Sequence, residues 1–271
     1  MALAAIIEGV GIVGPGLTSW ADACAVLSGA KAFVSVPTEL SPPTSLPPSE
    51  RRRASRATKV VLAAGLEAAA VASCDPSTLA TVFASSAGDG YNCHELCLQL
   101  ATGDPQLSPT RFHNSVHNAP AGYWGIASGS MAPSSVICAH DGSFGAGLFE
   151  AMAYVETTGE RCLLVAYDTD YPEPMRTARP TPDAFGIALV LAPVLASVTT
   201  APAARGLVSI VVERTDDMAT TMRDDGVEAM RRAIAAARGL PLLGAIARGE
   251  SGRVVIDYLG GRQLAIDVMP C

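Results

Sequence analysis

Ala132-Pro-Ser-Ser-Val-Ile-Cys-Ala-His140, Asp141-Gly-Ser-Phe-Gly-Ala-Gly147 and the run Leu148 to Val155 decide how this chain is read. The first block centres on β-branched residues, the second is rich in Gly, and the third is apolar and longer. They predict a strand, a sharp turn and a helix. The turn residue sits at a helix N-terminus, where backbone N–H groups lack partners and the dipole favours negative charge. Enzymes place activated nucleophiles there because that field lowers a thiol pKa. The turn residue here is Asp141, whose carboxylate is well held but is a poor nucleophile for acyl transfer. The stretch has the form of a catalytic elbow without a thiol. Asp141 has three readings at this point: a helix cap, a group assisting a step such as decarboxylation, and a contact for a partner.

The residues flanking Asp141 offer other chemistry. Cys138 and His140 share a strand face, but residues two apart in a strand are about 6.5 Å apart, too far for a direct thiol–imidazole hydrogen bond. Ser143 lies in Asp141-Gly-Ser-Phe-Gly145, one glycine short of the hydrolase elbow G-x-S-x-G. A hydrolase of that type places its His after the Ser. The four histidines are His94, His113, His117 and His140, all before Ser143.

Outward from the elbow, the chain alternates strands and helices up to about Val212, which argues an α/β sheet covered on both faces. Ala4 to Glu8 predicts a strand and Gly9-Val-Gly-Ile-Val-Gly14 a glycine turn. That turn matches G-x-G-x-x-G, but no acidic residue follows where a dinucleotide ribose would need one, in Gly29 to Val36. Ser19 to Leu27 predicts a helix capped by Ser19. Pro37 to Pro48 holds five prolines and reads as an extended linker. Arg51-Arg-Arg53, Arg56 and Lys59 open the next helix, either as a solvated start or as a docking patch for an acidic partner. Leu79 to Ser85 predicts a strand, Tyr91 to Leu100 a helix, Pro109 to Ala119 a polar loop and Gly122 to Ser128 a small-residue helix. Cys162 to Tyr167, Phe185 to Ala192 and Gly206 to Glu213 predict strands. Asp224 to Arg238 predicts one amphipathic helix. Arg253 to Leu259 and Arg262 to Val268 predict a hairpin about Gly260-Gly261 with a primed turn.

Composition narrows the function. The chain has 271 residues, 49% hydrophobic and 17% charged, and a mean hydropathy of +0.30. No apolar run reaches the roughly 20 residues of a membrane span, and the most apolar one, Phe185 to Val198, is broken by Pro193. The hydropathy favours surface buried in an obligate oligomer over a merely Ala-rich monomer. Net charge is −7, which argues against nucleic acid. The N-terminus lacks the basic start of a signal peptide, and the seven scattered cysteines fit a cytoplasmic protein with reduced thiols. Cys93-x-x-x-Cys97 with His94 and the pair Asp168, Asp170 are too sparse for a metal site, so neither a metal nor a cofactor is expected. Tyr123 and Trp124 read as packing residues.

The Gly-rich turn after Phe83, Asn114-Ser-Val-His-Asn-Ala-Pro-Ala-Gly122, Pro133-Ser-Ser up to the elbow, and Phe185-Gly-Ile-Ala-Leu-Val-Leu together resemble the N-terminal half of β-ketoacyl synthases over residues 3 to 213. The resemblance implies a thiolase-like half-domain: a five-stranded mixed sheet with helices on both faces over residues 1–213, then a helix and hairpin over 214–271. It places the family's cysteine at Asp141 and its two active-site histidines in a second half to which no histidine here corresponds. The chain is most similar to the short chain-length-factor-like subunits of aryl polyene and xanthomonadin-type pathways. That implies a non-catalytic subunit paired with a full-length β-ketoacyl-ACP synthase, with an acyl carrier protein as a further partner. Asn114, His117, Asn118, Ser134, Val136 and Phe144 are the candidates for the partner contact or the acyl tunnel. The competing expectations are a free-standing acyl-thioester enzyme using Cys138 or Ser143, and an acyl-binding homodimer.

Overall fold

In a computed structural model, residues 2–103, 106–194 and 206–271 are described. In chain order the elements are β1 (Leu3–Val13), α1 (Trp20–Leu27), α2 (Pro48–Arg53), α3 (Arg56–Val71), β2 (Ala80–Ala84), α4 (Gly90–Ala101), α5 (Pro109–Ser115), α6 (Ala119–Ser128), β3 (Ser134–Ile137), α7 (Ser143–Thr158), β4 (Cys162–Asp168), α8 (Met175–Ala178), β5 (Phe185–Ala192), β6 (Val208–Thr215), α9 (Asp225–Ala233), α10 (Leu240–Arg248), β7 (Gly252–Asp257) and β8 (Gln263–Pro270). The strands form one mixed sheet in the order β3-β2-β4-β5-β1-β6-β8-β7. The five strands expected from the resemblance, β3 to β1 in that order, are extended by three more. The C-terminal hairpin continues the same sheet through β6, whose Ile210 pairs with Val268 of β8.

Alternation along the strands divides the core. Leu164, Ala166, Ile187 and Leu189 face α7, α1 and the C-terminal helices. Leu163, Val165, Ala188 and Val190 face α3 and α6, with Tyr123 and Trp124 buried among them. In β1 the phase changes: Leu3, Ala5 and Ile7 share a face with Val10 and Ile12. A register shift between Ile7 and Gly9 supplies the extra residue, since an inserted residue flips every later side chain.

That shift corrects the glycine-turn reading. Gly9 and Gly11 lie inside β1, and a Cβ on either would stand 2.2 Å from the Ala68 carbonyl and 2.0 Å from the Ala64 carbonyl of α3. The glycines let helix and strand backbones touch. Three helix readings also change. Pro109 to Ala119 is α5 and the start of α6, opened by Ser108, whose hydroxyl accepts the Arg111 N–H. The basic helix breaks at Ala54, and α3 restarts on the Ser55 cap. The single helix at 224–238 ends at Ala233, and a further helix, α10, follows a short 3-10 turn over Ala236–Gly239. The apolar stretch ending at Val198 contributes β5, and its residues 195–198 lie outside the described residues. Gly260 and Gly261 both take positive φ, with the Arg262 N–H donating to the Leu259 carbonyl, as a primed turn requires.

Candidate functional site

Parallel pairing of β3, β2 and β4 brings their C-terminal ends together, the end where open α/β sheets bind ligands. The elbow lies there. His140 is its left-handed apex (φ 51), a conformation that strains a residue with a Cβ. His140–Gly142 form a 3-10 turn leading into α7. Ser143 closes the turn: its hydroxyl accepts the Ala139 N–H at 3.1 Å and donates to the His140 carbonyl at 2.7 Å. Ser143 is 1% exposed, so its hydroxyl is committed to the backbone.

The Asp141 carboxylate does not cap α7, which has Gly142 at its N-cap and no side-chain cap bond. It accepts from Arg179 at 2.5 Å and lies 3.5 Å from Arg238. Arg179 also touches the His140 imidazole. Arg238 continues to Asp257 of β7 at 2.8 Å, and Asp257 meets Arg231, which is held bidentately by Glu228. That hydrogen-bonded guanidinium lowers the Glu228 pKa. The elbow is thus wired by charge into the C-terminal segment. Packing agrees: a Cβ on Gly145 would stand 2.3 Å from the Asp257 carbonyl, and one on Gly142 2.9 Å from Tyr258.

Beneath the elbow lies a group that the sequence marks only as half of a sparse acidic pair. Asp168, at the end of β4, is 3% exposed. It accepts the Ser86 N–H (2.9 Å), the Ser86 hydroxyl (2.7 Å) and the Ala236 N–H (2.8 Å). Complete burial raises its pKa, opposed by those hydrogen bonds. Ser86 in turn accepts from the exposed Cys138 thiol at 3.2 Å through its carbonyl. Cys138 and His140 therefore have different partners and form no dyad. The only sequence signal for Asp168 was an acidic residue ending an apolar strand.

The other candidates are spread over the region. Asn114 is buried, its Nδ2 donating to the Arg53 carbonyl at 2.8 Å. His117 is half-buried and its carbonyl accepts the Tyr167 hydroxyl at 3.4 Å. Asn118 is exposed at the N-cap of α6. Ser134 and Val136 lie on β3, an edge strand. Phe144 is fully buried in the core, against Gly239. Much of the basic run is used internally: Arg51 donates to the Thr44 and Leu46 carbonyls, and Arg56 pairs with Asp170 and Asp183. Among the described residues no group of three or more His, Cys, Asp or Glu could hold a metal ion, and no helix is long and apolar enough to cross a membrane.

A thiolase-like mixed sheet with a strand–elbow–helix at the C-terminal ends of its parallel strands defines a class, the β-ketoacyl synthases and their relatives. Residues 28–243 match the family model of the β-ketoacyl synthase N-terminal domain, and the chain belongs to that family. Among solved structures it is similar to the ketosynthase (ApeO) in complex with its chain length factor (ApeC) from Xenorhabdus doucetiae, with a TM-score of 0.74 and 22% identity over 98% of this chain and 99% of that one. It is similar also to the ishigamide ketosynthase/chain length factor, with a TM-score of 0.73 and 14% identity over 99% of each chain. A third is the AntDE:AntF complex, described as a type II PKS acyl-carrier protein with its ketosynthase, with a TM-score of 0.74 and 12% identity over 100% of each chain. No curated protein matches by sequence.

Proposed function

We propose that this chain is a non-catalytic, chain-length-factor-type subunit that pairs with an active β-ketoacyl-ACP synthase in polyketide-type, aryl polyene-like biosynthesis. One observation carries the reading: the elbow presents a carboxylate fixed by Arg179 and Arg238 where the family's chemistry needs a thiolate. Acyl transfer needs a nucleophile, and the nearest alternatives are poorly placed. Ser143 is buried in a backbone cap, and Cys138 has no imidazole partner.

Surface asymmetry supports the pairing. At one end of the sheet, β7 is covered: the Val255 N–H and carbonyl both bond Thr220. At the other end β3 is open, with Ser134 and Ser135 exposed. An uncovered edge is a template for another chain. Elsewhere α4 buries only Leu96, leaving Tyr91, Leu98 and Leu100 exposed. The acyl carrier protein enters as the partner of the assembled pair.

The test is co-expression with the ketosynthase encoded beside it, followed by size-exclusion chromatography with mass measurement. The expected result is a one-to-one complex whose condensation activity survives Cys138→Ala and is lost when the ketosynthase cysteine is replaced. Ser135→Lys, a charge at an exposed position of the open edge, should split the complex and leave this chain's melting temperature unchanged. Independent elution with an unaffected ketosynthase would overturn the reading in favour of an acyl-binding homodimer or a free-standing thioester enzyme.

A further inference from the structure

A cavity of about 590 Å³ is separate from the elbow's charge network. It opens beside the C-terminal ends of β2 and β4, between the start of α3, the start of α4 and α5. Its volume lies within the range of small-molecule sites, and its position is the ligand crevice of an open α/β sheet.

The hydrogen bonds at its wall leave donors in excess. Arg53 and Arg111 both line it. Arg53 has one ion contact, Glu50 at 3.6 Å, and Arg111 has one, Glu95 at 3.4 Å; these contacts are longer than a good charge-assisted bond. Neither guanidinium makes a side-chain hydrogen bond among the described residues, although each carries five N–H donors. Arg111 also lies over the Tyr91 ring, 5.9 Å from its centroid. The carboxylates facing the cavity are already engaged. Asp89 accepts the Asn92 backbone and side-chain N–H groups at 3.0 and 2.7 Å, and Asp170 is paired with Arg56 and Arg176. The Thr110 and Thr169 hydroxyls on the same wall have no hydrogen bond among the described residues.

From this we infer that the cavity binds a small organic oxyanion, a phosphate or carboxylate group, gripped between the guanidinium forks of Arg53 and Arg111. Planar forks match such groups bidentately, and the threonine hydroxyls and the Tyr91 ring are placed to meet the remainder of the ligand. Asn114 adds a buried acceptor, since its Oδ1 has no partner, so a ligand that also carries an N–H or O–H donor fits better than a bare ion.

The experiment is isothermal titration of the purified chain at low salt, with inorganic pyrophosphate as the phosphate probe and glutarate as the carboxylate probe. Saturable one-to-one binding of either supports the site, and whichever binds identifies the group. Affinity should fall about tenfold or more in Arg53→Ala and in Arg111→Ala, as expected for losing a charge-assisted contact. It should also fall in Arg111→Lys, which keeps the charge and loses the fork. Arg52→Ala, outside the cavity, should bind as the wild type does. Melting temperatures should be unchanged throughout, because these side chains are exposed or half-exposed. Absence of saturable binding by both probes would overturn the inference, as would an equal loss in Arg52→Ala. This outcome is distinguishable from failure of the proposed pairing, which is read by co-elution.

Discussion

At the scale of single residues, Asp168 is a carboxyl buried under electrostatic stress. Its buried carboxyl is held above the ordinary aspartate value, so the folded chain binds its proton more tightly than the unfolded chain does. The stability this contributes is fully present below about pH 3.9 and is lost as pH rises through the raised folded value. Asp168→Asn keeps one acceptor oxygen but turns amide hydrogens toward either the Ser86 or the Ala236 N–H, each itself a donor. Urea denaturation should find it about 2 kcal/mol less stable near pH 4, with the gap to wild type shrinking as pH rises. A gap that grows with pH would contradict the assignment. Gly9 and Gly11 act through space. Alanine at either drives a Cβ into an α3 carbonyl, so each should cost about 2–4 kcal/mol or prevent folding, in the manner of overpacking. Gly122→Ala, on α6 with nothing within 4 Å, should be neutral or slightly stabilising by thermal melting.

At the scale of elements, the sheet edges behave differently. Thr220→Val keeps the shape of the strap over β7 but removes the acceptor of the Val255 N–H at 2.9 Å. The expected loss is about 1 kcal/mol, with new concentration-dependent self-association by light scattering as the edge opens. The strands themselves were legible because apolar alternation survives in any context: β4, β5 and the hairpin were placed within a residue or two. The bulge in β1 was not legible, since its glycines fit a turn as well as a strand, and only α3 decides between them. α10 was missed because Leu240-Pro-Leu-Leu-Gly has no polar face to mark a period; it is buried almost all round. α5 was hidden by its polar surface and revealed only by its Ser108–Pro109 start. At the site, the elbow was legible but its wiring was not. Arg179 and Arg238 lie 38 and 97 residues beyond Asp141, and no local pattern links them.

At the scale of the whole molecule, the question is whether residues 1–213 and 214–271 are separable. The sheet argues that they are not. β8 pairs along the full length of β6, from Val208 with Pro270 to Thr215 with Gln263. The buried faces of β6, β8 and β7 join those of α7, α9 and α10 in one cluster that also holds Leu3, Ile7 and Leu164. Removing the C-terminal segment would uncover Val208, Ile210 and Val212 on β6 and the Phe144 side of α7, all buried in the intact chain. It would also leave Asp141 without Arg238 and Asp168 without the Ala236 N–H. Burial of one large apolar side chain is worth about 1.5–3 kcal/mol, so the loss of several is comparable to the whole 5–15 kcal/mol by which a domain is stable. A chain ending at Glu213 should therefore be insoluble, or should bind a hydrophobic dye without a cooperative melting transition. Adding residues 214–271 back as a separate polypeptide should restore soluble, cooperatively melting protein. A soluble 1–213 fragment with a sharp transition of its own would show instead that the N-terminal unit carries a complete core, and that the hairpin is an appendage to it.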